Sequence, residues 1–281
     1  MPELPEAETI VRGLRPALVG RTISATQVLH ADVLREATSG FSRKVKGREI
    51  VSVGRRGKNV VMRLSGDRVL AVNLGMTGRL LPSGGYVGDP DASRHPAVRF
   101  GLDDGETLVF DDTRRFGTVE CLSGDEWRGR SDRMGPEPLE ASFTPDDLWA
   151  GLKASRSPVR SWLLDQRRIA GVGNIYANEA LFLAGIHPQR AAKSVVRHEA
   201  TALHGGLRDV LENAIDAGGT TLRDYRDASG GEGQYARRLL VYGRDGEPCT
   251  RCGAEVRRIV FGGRSAFHCP TCQPRRRGRR S

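Results

Sequence analysis

Gly135-Pro136-Glu137-Pro138 is the stretch on which the reading of this chain turns. Closely spaced prolines behind a glycine interrupt helix and strand alike and suit an exposed boundary between domains. On its N-terminal side, apolar residues fall in short β-rich runs separated by Gly or charged turns: Glu49–Val53, Asn59–Leu64, Arg68–Asn73, Val98–Leu102 and Thr107–Phe110. That spacing predicts a β-sandwich or barrel-like domain over about residues 21–130. Within it, Gly84 to Ser93 is rich in Gly, Asp and Pro and reads as a mobile loop. On the C-terminal side the signals turn helical. Thr144 before Pro145, Asp146 and Asp147 is a cap, a first-turn proline and first-turn acids. Ser157-Pro158 repeats that start, Asn174 opens a helix that stops near Gly185, and a long helix runs from Val196 to Ala217 before Gly218-Gly219. A polar, Gly-rich loop follows at 226–235. The fold class expected from this division is α+β.

The chain opens Met1-Pro2-Glu3-Leu4-Pro5-Glu6. Met1 precedes a small residue, so its removal is expected, leaving Pro2 with a free secondary amine. An α-amino group has a pKa near ~7.7–8.0, against ~10.4 for a lysine side chain, so this amine has a large unprotonated fraction at neutral pH. Condensed with an aldehyde it forms an iminium, which is charged without further protonation and is a good electron sink. Glu3 and Glu6 put two carboxylates within a turn of it, one to relay protons while the other stays ionised. The same residues also start a helix. Pro5 suits the first helical position, acids suit the first turn, and Leu4, Ala7, Ile10, Val11 and Leu14 recur at helical spacing as far as a stop at Gly20. The two readings are compatible, because a helix is a rigid mount.

At the other end, Cys249-x2-Cys252-x16-Cys269-x2-Cys272 has the spacing of two metal-gripping pairs joined by a β-hairpin. Each pair can hold one side of a tetrahedral Zn²⁺. Four thiolates leave no open position, so one structural zinc is expected rather than a catalytic one. Arg257, Arg258 and Arg264 lie on the hairpin, Arg264 near its tip, where it can reach a phosphate or a groove. Cys121 stands alone among strands and reads as a core thiol.

Three further motifs carry two readings each. Gly171-Val172-Gly173-Asn174 places glycines before a helix, whose exposed N–H groups make a phosphate site; Asn174 either caps the helix or donates to a phosphate. Asp112-Thr113-Arg114-Arg115-Phe116-Gly117, with Leu74-Gly75-Met76-Thr77-Gly78 upstream, either wedges Met76, Arg114 and Phe116 into a base stack or is a β-turn with Phe116 and Met76 in the core. Lys58, at a strand start, is either functional or a solvated surface lysine.

The 281 residues carry 44 Lys+Arg against 34 Asp+Glu, a formal charge of +10, which favours a polyanionic partner, most simply nucleic acid. No stretch approaches the ~18–20 apolar residues of a membrane span. The acidic start lacks the apolar core of a secretory signal, and paired cysteines in a reducing compartment suit metal. These features point to a cytoplasmic, nucleoid-associated protein with no membrane contact.

Taken in order, these motifs resemble the formamidopyrimidine-DNA glycosylase family, which is related to endonuclease VIII. The likeness runs from Pro2 to about Gln273. It rests on Met1-Pro-Glu-Leu-Pro-Glu6, Asn73-Leu-Gly-Met-Thr-Gly78, Asp112-Thr-Arg-Arg-Phe-Gly117, Gly135-Pro-Glu-Pro-Leu139, Gly171-Val-Gly-Asn-Ile-Tyr-Ala177, Gly218-Gly-Thr-Thr221, Val241-Tyr-Gly-Arg244 and the four cysteines. The resemblance implies an N-terminal helix with a β-sandwich domain over 1–134, a linker at 135–140 and a helical helix–two-turn–helix domain with a lesion loop over 141–236. A β-hairpin zinc finger over 237–273 and a basic, disordered tail over 274–281 complete it. It implies a monomer acting on double-stranded DNA that contains oxidised bases or abasic sites. Pro2 looks like the nucleophile that attacks C1′ of the damaged nucleotide, Glu3 like the acid/base that assists sugar ring opening, and Glu6 like its supporting carboxylate. Lys58 matches the lysine near the lesion phosphate. Met76, Arg114 and Phe116 match the void-filling triad, and Asn174 and Arg264 match phosphate binders. His95 matches the first of two family histidines.

The chain departs from the family pattern at three places. Asn73 stands where His is frequent, Ala97 stands where the second His is common, and Gly230-Gly-Glu-Gly-Gln234 replaces the usual Gly-Lys-Pro-Gly-Tyr. All three bear on lesion choice. The expected activity is a bifunctional glycosylase/lyase for oxidised purines. The Leu4 start and the Arg-Arg-Phe loop favour it over an oxidised-pyrimidine enzyme of the endonuclease VIII type. Intact Pro2, Glu3, Glu6 and Lys58 favour it over a catalytically silent lesion-binding protein.

Overall fold

The computed structural model describes residues 2–82, 93–222 and 225–275. Met1, the expected mobile loop apart from Ser93, and the tail beyond Arg275 lie outside the described residues. The chain divides into two units, one of residues 1–133 with 214–235, the other of 134–213 with 236–281.

In the first unit, helix α1 (Leu4–Leu18) buries Leu4, Ala7, Ile10, Val11, Leu14 and Leu18, the face its periodicity predicts. Glu3 is its N-cap, one position earlier than a Pro5 start implies, so Pro5 occupies the second helical position. Eight antiparallel strands follow. They are β1 (Thr22–Val28), β2 (Arg48–Arg56), β3 (Asn59–Leu64), β4 (Arg68–Asn73), β5 (Gly78–Pro82), β6 (Pro96–Leu102), β7 (Thr107–Asp112) and β8 (Thr118–Ser123). Their order is β5-β7-β6-β1-β2-β3-β4-β8. The link from β1 to β2 is only a short ladder, Thr22 opposite Glu49 and Ile23 opposite Arg48, so the strands separate into the two layers of a β-sandwich. One apolar core draws on all eight strands, from Ile23, Ile50 and Val60 to Leu70, Leu80, Phe100, Phe110 and Val119. Helix α2 (Thr38–Val45) adds Phe41, edge-on to Phe100 at 6.2 Å. On the opposite face of β3 and β4, Val61, Val69 and Ala71 pack against Trp127 of α3 (Gly124–Ser131). Both faces are therefore covered over Val60–Met62 and Val69–Val72, which is why these stretches read as apolar runs.

In the second unit, α4 (Pro145–Lys153) starts as its sequence predicts. Thr144 Oγ1 accepts from Asp147 N at 3.2 Å and Asp147 Oδ2 accepts from Thr144 N at 2.9 Å, a reciprocal capping box. The Thr144 hydroxyl also donates to Asp147 Oδ2 at 2.5 Å, and this bond, then the one from Thr144 N, holds the Asp147 carboxyl below the usual range. Helices α5 (Val159–Leu164) and α6 (Asn174–Leu183) are joined by two tight turns. Gln166 spans them, donating to Val172 O at 2.8 Å and accepting from Gly171 N at 2.8 Å. Helix α7 (Arg197–Asp216) ends before Gly218 and Gly219. The hairpin of β9 (Arg257–Phe261) and β10 (Arg264–His268) pairs Ser265 with Val260 and Phe267 with Arg258. It packs through Val256 and Phe267 onto Phe182 and Val241. Among the described residues no helix is long and apolar enough to cross a membrane. The observed fold is thus the α+β arrangement expected, a helix with a β-sandwich, then helices and a hairpin zinc finger.

Candidate functional site

In the first unit the two glutamates of the opening turn are buried, Glu3 at 2% and Glu6 at 1% exposure. Pro2 is buried beside them. Glu6 Oε2 accepts from Glu3 N at 2.7 Å, a contact that i,i+3 spacing makes local. Its other oxygen, Oε1, accepts from Thr220 N at 2.8 Å, across 214 residues of sequence. A carboxylate that accepts at both oxygens from fixed N–H groups is held in one orientation. The start of α1 adds its positive dipole end. The Tyr225 hydroxyl donates to Glu6 O at 3.5 Å.

Gly219 makes this approach possible. Its φ is +90°, and a Cβ there would lie 2.9 Å from Tyr225 Cε1 and 3.2 Å from Glu6 Cγ. Gly219→Ala therefore combines left-handed strain with a clash. It is expected to cost about 1–3 kcal/mol, read as a lowered denaturation midpoint, with loss of Thr220 from Glu6. A variant as stable as the parent contradicts this. In the sequence Gly218-Gly-Thr-Thr221 is only a family signature, and nothing local marks Thr220 or Tyr225 as partners of Glu6. The Gly-rich loop at 226–235 is closed on itself. Asp227 Oδ1 accepts from Ser229 N and Gly231 N, each at 2.8 Å, and Gly233 N donates to Thr221 Oγ1 at 2.9 Å.

Lys58 is half-buried in the two-residue turn between β2 and β3, rather than at a strand start. Nearby, Arg55 donates to Glu8 Oε2 at 3.2 Å and to Gly57 O at 3.0 Å. Met76, after β4, and Arg114 and Phe116, after β7, come together. The Arg114 guanidinium lies 4.6 Å over the Phe116 ring, and its Nη1 is 3.2 Å from Met76 Sδ. Phe116 is 58% exposed and Met76 39%, so the core reading of these two fails. Both side chains instead face solvent, with Phe116 braced by the Arg114 cation. His95 is exposed, and its backbone N–H donates to Asp111 Oδ2 at 2.7 Å. Asn73, at the family's histidine position, closes a turn: its Nδ2 donates to Asn59 Oδ1 and its Oδ1 accepts from Gly75 N.

In the second unit, Gly173 is the N-cap of α6 and Asn174 its first residue, so Asn174 does not cap. Its Oδ1 accepts from Arg160 Nη2 at 2.7 Å, and its Nδ2 donates to Ser265 O at 3.0 Å, next to the exposed Arg264. Arg160 is 1% exposed, lies 4.7 Å over the Phe261 ring, and makes no ion pair among the described residues. Burial, and then the nearby Arg264 charge, lower its pKa. The sequence does not reveal this partner of Asn174, which is hidden in the apolar face of α5. A buried guanidinium with neutral acceptors concentrates positive potential where Asn174 meets the hairpin.

The four cysteine sulfurs of this unit lie within 4.8 Å of one another, with Cys249 and Cys272 at 4.0 Å and Cys252 and Cys269 at 3.5 Å. Zinc–sulfur bonds of ~2.3 Å in a tetrahedron require sulfurs ~3.8 Å apart, so the set fits one Zn²⁺. Arg251 N and Cys272 N each donate to a cysteine sulfur at 3.4 Å, which steadies the thiolates. With every position filled by thiolate, the zinc is structural. Cys121, in β8 of the first unit, is not one of this group; it is fully buried, and burial pushes its thiol up to about 11.

Residues 1–119 match the formamidopyrimidine-DNA glycosylase N-terminal domain, 134–226 the H2TH domain of the same family, and 246–275 the zinc finger found in FPG and IleRS. The formamidopyrimidine-DNA glycosylase of Chloroflexus aurantiacus is 43% identical over 276 residues, covering 97% of this chain and 98% of its own. The MutM (Fpg) crystal structure from Thermus thermophilus is 41% identical with a TM-score of 0.86, covering 97% of this chain and 98% of that one. Fpg from Lactococcus lactis, in complex with DNA containing an abasic site, is 31% identical with a TM-score of 0.88, covering 97% and 100%. These likenesses span both units and the hairpin, and the chain belongs to the formamidopyrimidine-DNA glycosylase family.

Proposed function

We propose that this chain excises oxidised purines from double-stranded DNA, chiefly 8-oxoguanine opposite cytosine and formamidopyrimidines, and then cuts the strand as an abasic-site lyase. The observation that carries the reading is the Glu6 bridge, one carboxylate held by Glu3 N and Thr220 N beside Pro2. It fixes the opening turn that carries Glu3, the proton carrier. The Lactococcus lactis relative bound to abasic-site DNA and the +10 charge of this chain support DNA as the substrate. The protein works as a monomer in the cytoplasm.

With Met1 removed, the Pro2 nitrogen attacks C1′ of a nucleotide drawn out of the stack. The bond from C1′ to the base breaks and the base leaves with a proton. Glu3 delivers a proton to O4′ as the sugar ring opens, leaving an iminium between Pro2 and C1′. Glu6 supports Glu3 in this step. The iminium acidifies the C2′ proton, whose loss expels the 3′ phosphate. A second elimination expels the 5′ phosphate and leaves a one-nucleotide gap. Lys58, Asn174 and Arg264 hold backbone phosphates, His95 contacts DNA, and Met76, Arg114 and Phe116 fill the space the lost base leaves. The zinc keeps the hairpin folded and takes no part in these steps.

Borohydride trapping on duplexes with 8-oxoguanine, thymine glycol or an abasic site tests the proposal. Strong trapping on 8-oxoguanine and abasic duplexes is expected. Preference for thymine glycol would point to the endonuclease VIII type, and binding without trapping to a silent lesion reader. Affinity should also fall with salt, each neutralised phosphate contributing about −0.9 to the log–log slope. Arg264→Ala is expected to flatten that slope by about one phosphate; an unchanged slope removes Arg264 from the phosphate contacts.

A further inference from the structure

Met76 and the Arg114–Phe116 pair sit on two turns that belong to different strand pairs, and one buried side chain joins them. Asp112, at 1% exposure, ends β7. Its Oδ1 accepts from the Thr77 hydroxyl at 2.5 Å and from Arg114 N at 3.2 Å, and its Oδ2 accepts from Gly117 N at 2.8 Å. Thr77 is the neighbour of Met76, and its oxygen also lies 3.1 Å from Arg114 N. The carboxylate therefore holds both ends of the 114–117 turn and the turn that bears Met76. The two backbones meet so closely that a Cβ at Gly75, whose φ is +60°, would lie 2.5 Å from Gly117 N. The adjacent Asp111 does the same for a neighbouring segment, accepting from His95 N and from Arg79 Nη2, each at 2.7 Å.

We propose that Asp112 is the positioning residue that assembles the Met76–Arg114–Phe116 wedge before DNA arrives. The inference rests on the reading of those three side chains as void-filling. A buried carboxylate facing only donors specifies one arrangement of the two turns, because any other leaves its charge unpaired. That arrangement presents Phe116 and Met76 outward with Arg114 packed between them. The three side chains are then ordered in the free protein, and binding does not have to order them.

Asp112→Asn keeps the shape but replaces one acceptor with an amide donor, which must face Gly117 N–H or the Thr77 and Arg114 donors. Thr77→Val is the milder variant, removing the hydroxyl that reaches Asp112. Single-turnover excision of 8-oxoguanine from duplex DNA should slow roughly 10- to 100-fold for Asp112→Asn, the scale on which misplaced positioning groups act, and less for Thr77→Val. Phe116→Ala should also be slow, and in that background neither change should slow excision more than about twofold further, because the residues act as one unit. Additive slowing by both variants would assign Asp112 a general structural role and overturn the proposal, as would full activity of both single variants. If Asp112→Asn fails to fold, Thr77→Val alone decides on the same criterion. A Phe116→Ala protein with the parent rate would instead sink the void-filling reading, a failure distinct from additivity.

Discussion

A chain extended at its N-terminus by a residual tag is expected to lose borohydride trapping on an abasic duplex by about 10³-fold or more, while DNA binding persists. The reason is electronic. Extension turns the Pro2 nitrogen into an amide, whose lone pair is delocalised into the carbonyl and cannot attack C1′. Pro2→Gly should give a smaller but still large loss. A glycine amine is a nucleophile of similar basicity, but its imine must gain a proton before it becomes an electron sink. It also lacks the ring that holds the nitrogen in place. The mount makes the test clean. Helix α1 is anchored by six buried apolar contacts from Leu4 to Leu18 along its length, and Glu6 ties the opening turn to Thr220. The extension should therefore leave thermal stability close to that of the parent. Undiminished trapping by the extended protein would remove the terminal amine from the mechanism.

The second large effect concerns the zinc. Cys269→Ser, or removal of the metal by a chelator, is expected to unfold the β9–β10 hairpin while leaving the sandwich unit folded. Metal binding contributes about 10–16 kcal/mol in small zinc modules at neutral pH. The apolar cluster beneath this hairpin is small, with Phe182, Val241, Val256 and Phe267 as its main non-cysteine members. At ~1.5–3 kcal/mol for each buried side chain, set against the entropy of ordering the hairpin, it cannot replace the metal. Ladder amides such as those of Ile259 and Ala266 should exchange rapidly with solvent in the variant. Affinity for lesion duplex should fall at least about 100-fold, because Arg264 and the Ser265 carbonyl that receives Asn174 and Arg160 belong to this hairpin. Cys121→Ser should bind zinc with unchanged stoichiometry, since that thiol is buried in β8 and is not one of the four clustered sulfurs. Parental affinity in a Cys269→Ser protein shown to lack zinc would overturn the account.

The elements that could be read from sequence are those whose signals are local. Thr144, Pro145 and Asp147 announce α4 because the capping box closes within four residues. β3 and β4 announce themselves because both of their faces are buried over Val60–Met62 and Val69–Val72. β1 was not legible: among its residues only Ile23 is fully buried, so its alternation is lost among Thr, Ser and Gln. α2 and α3 leave no clear sequence signal for a related reason, since each anchors on one or two large side chains, Phe41 with Val45 and Trp127. Asn174 lies at a helix start, as its glycine-led motif predicts, yet its side chain serves a network with Arg160 and the hairpin instead of a cap.

By itself the sequence determined the chelating cysteine spacing, the helix that carries Pro2, Glu3 and Glu6, and the change from strands to helices around Gly135-Pro136-Glu137-Pro138. Each rests on contacts or periodicity spanning a few residues, which chain geometry imposes wherever those residues occur. The tertiary structure alone decided that Thr220 completes the hold on Glu6, that Arg160 sits uncompensated beside Asn174, and that Phe116 and Met76 face outward. These depend on segments far apart in sequence. Whether a lone phenylalanine in a glycine-flanked turn is core or contact is set by what packs behind the turn, and here the Asp112 carboxylate fills that place.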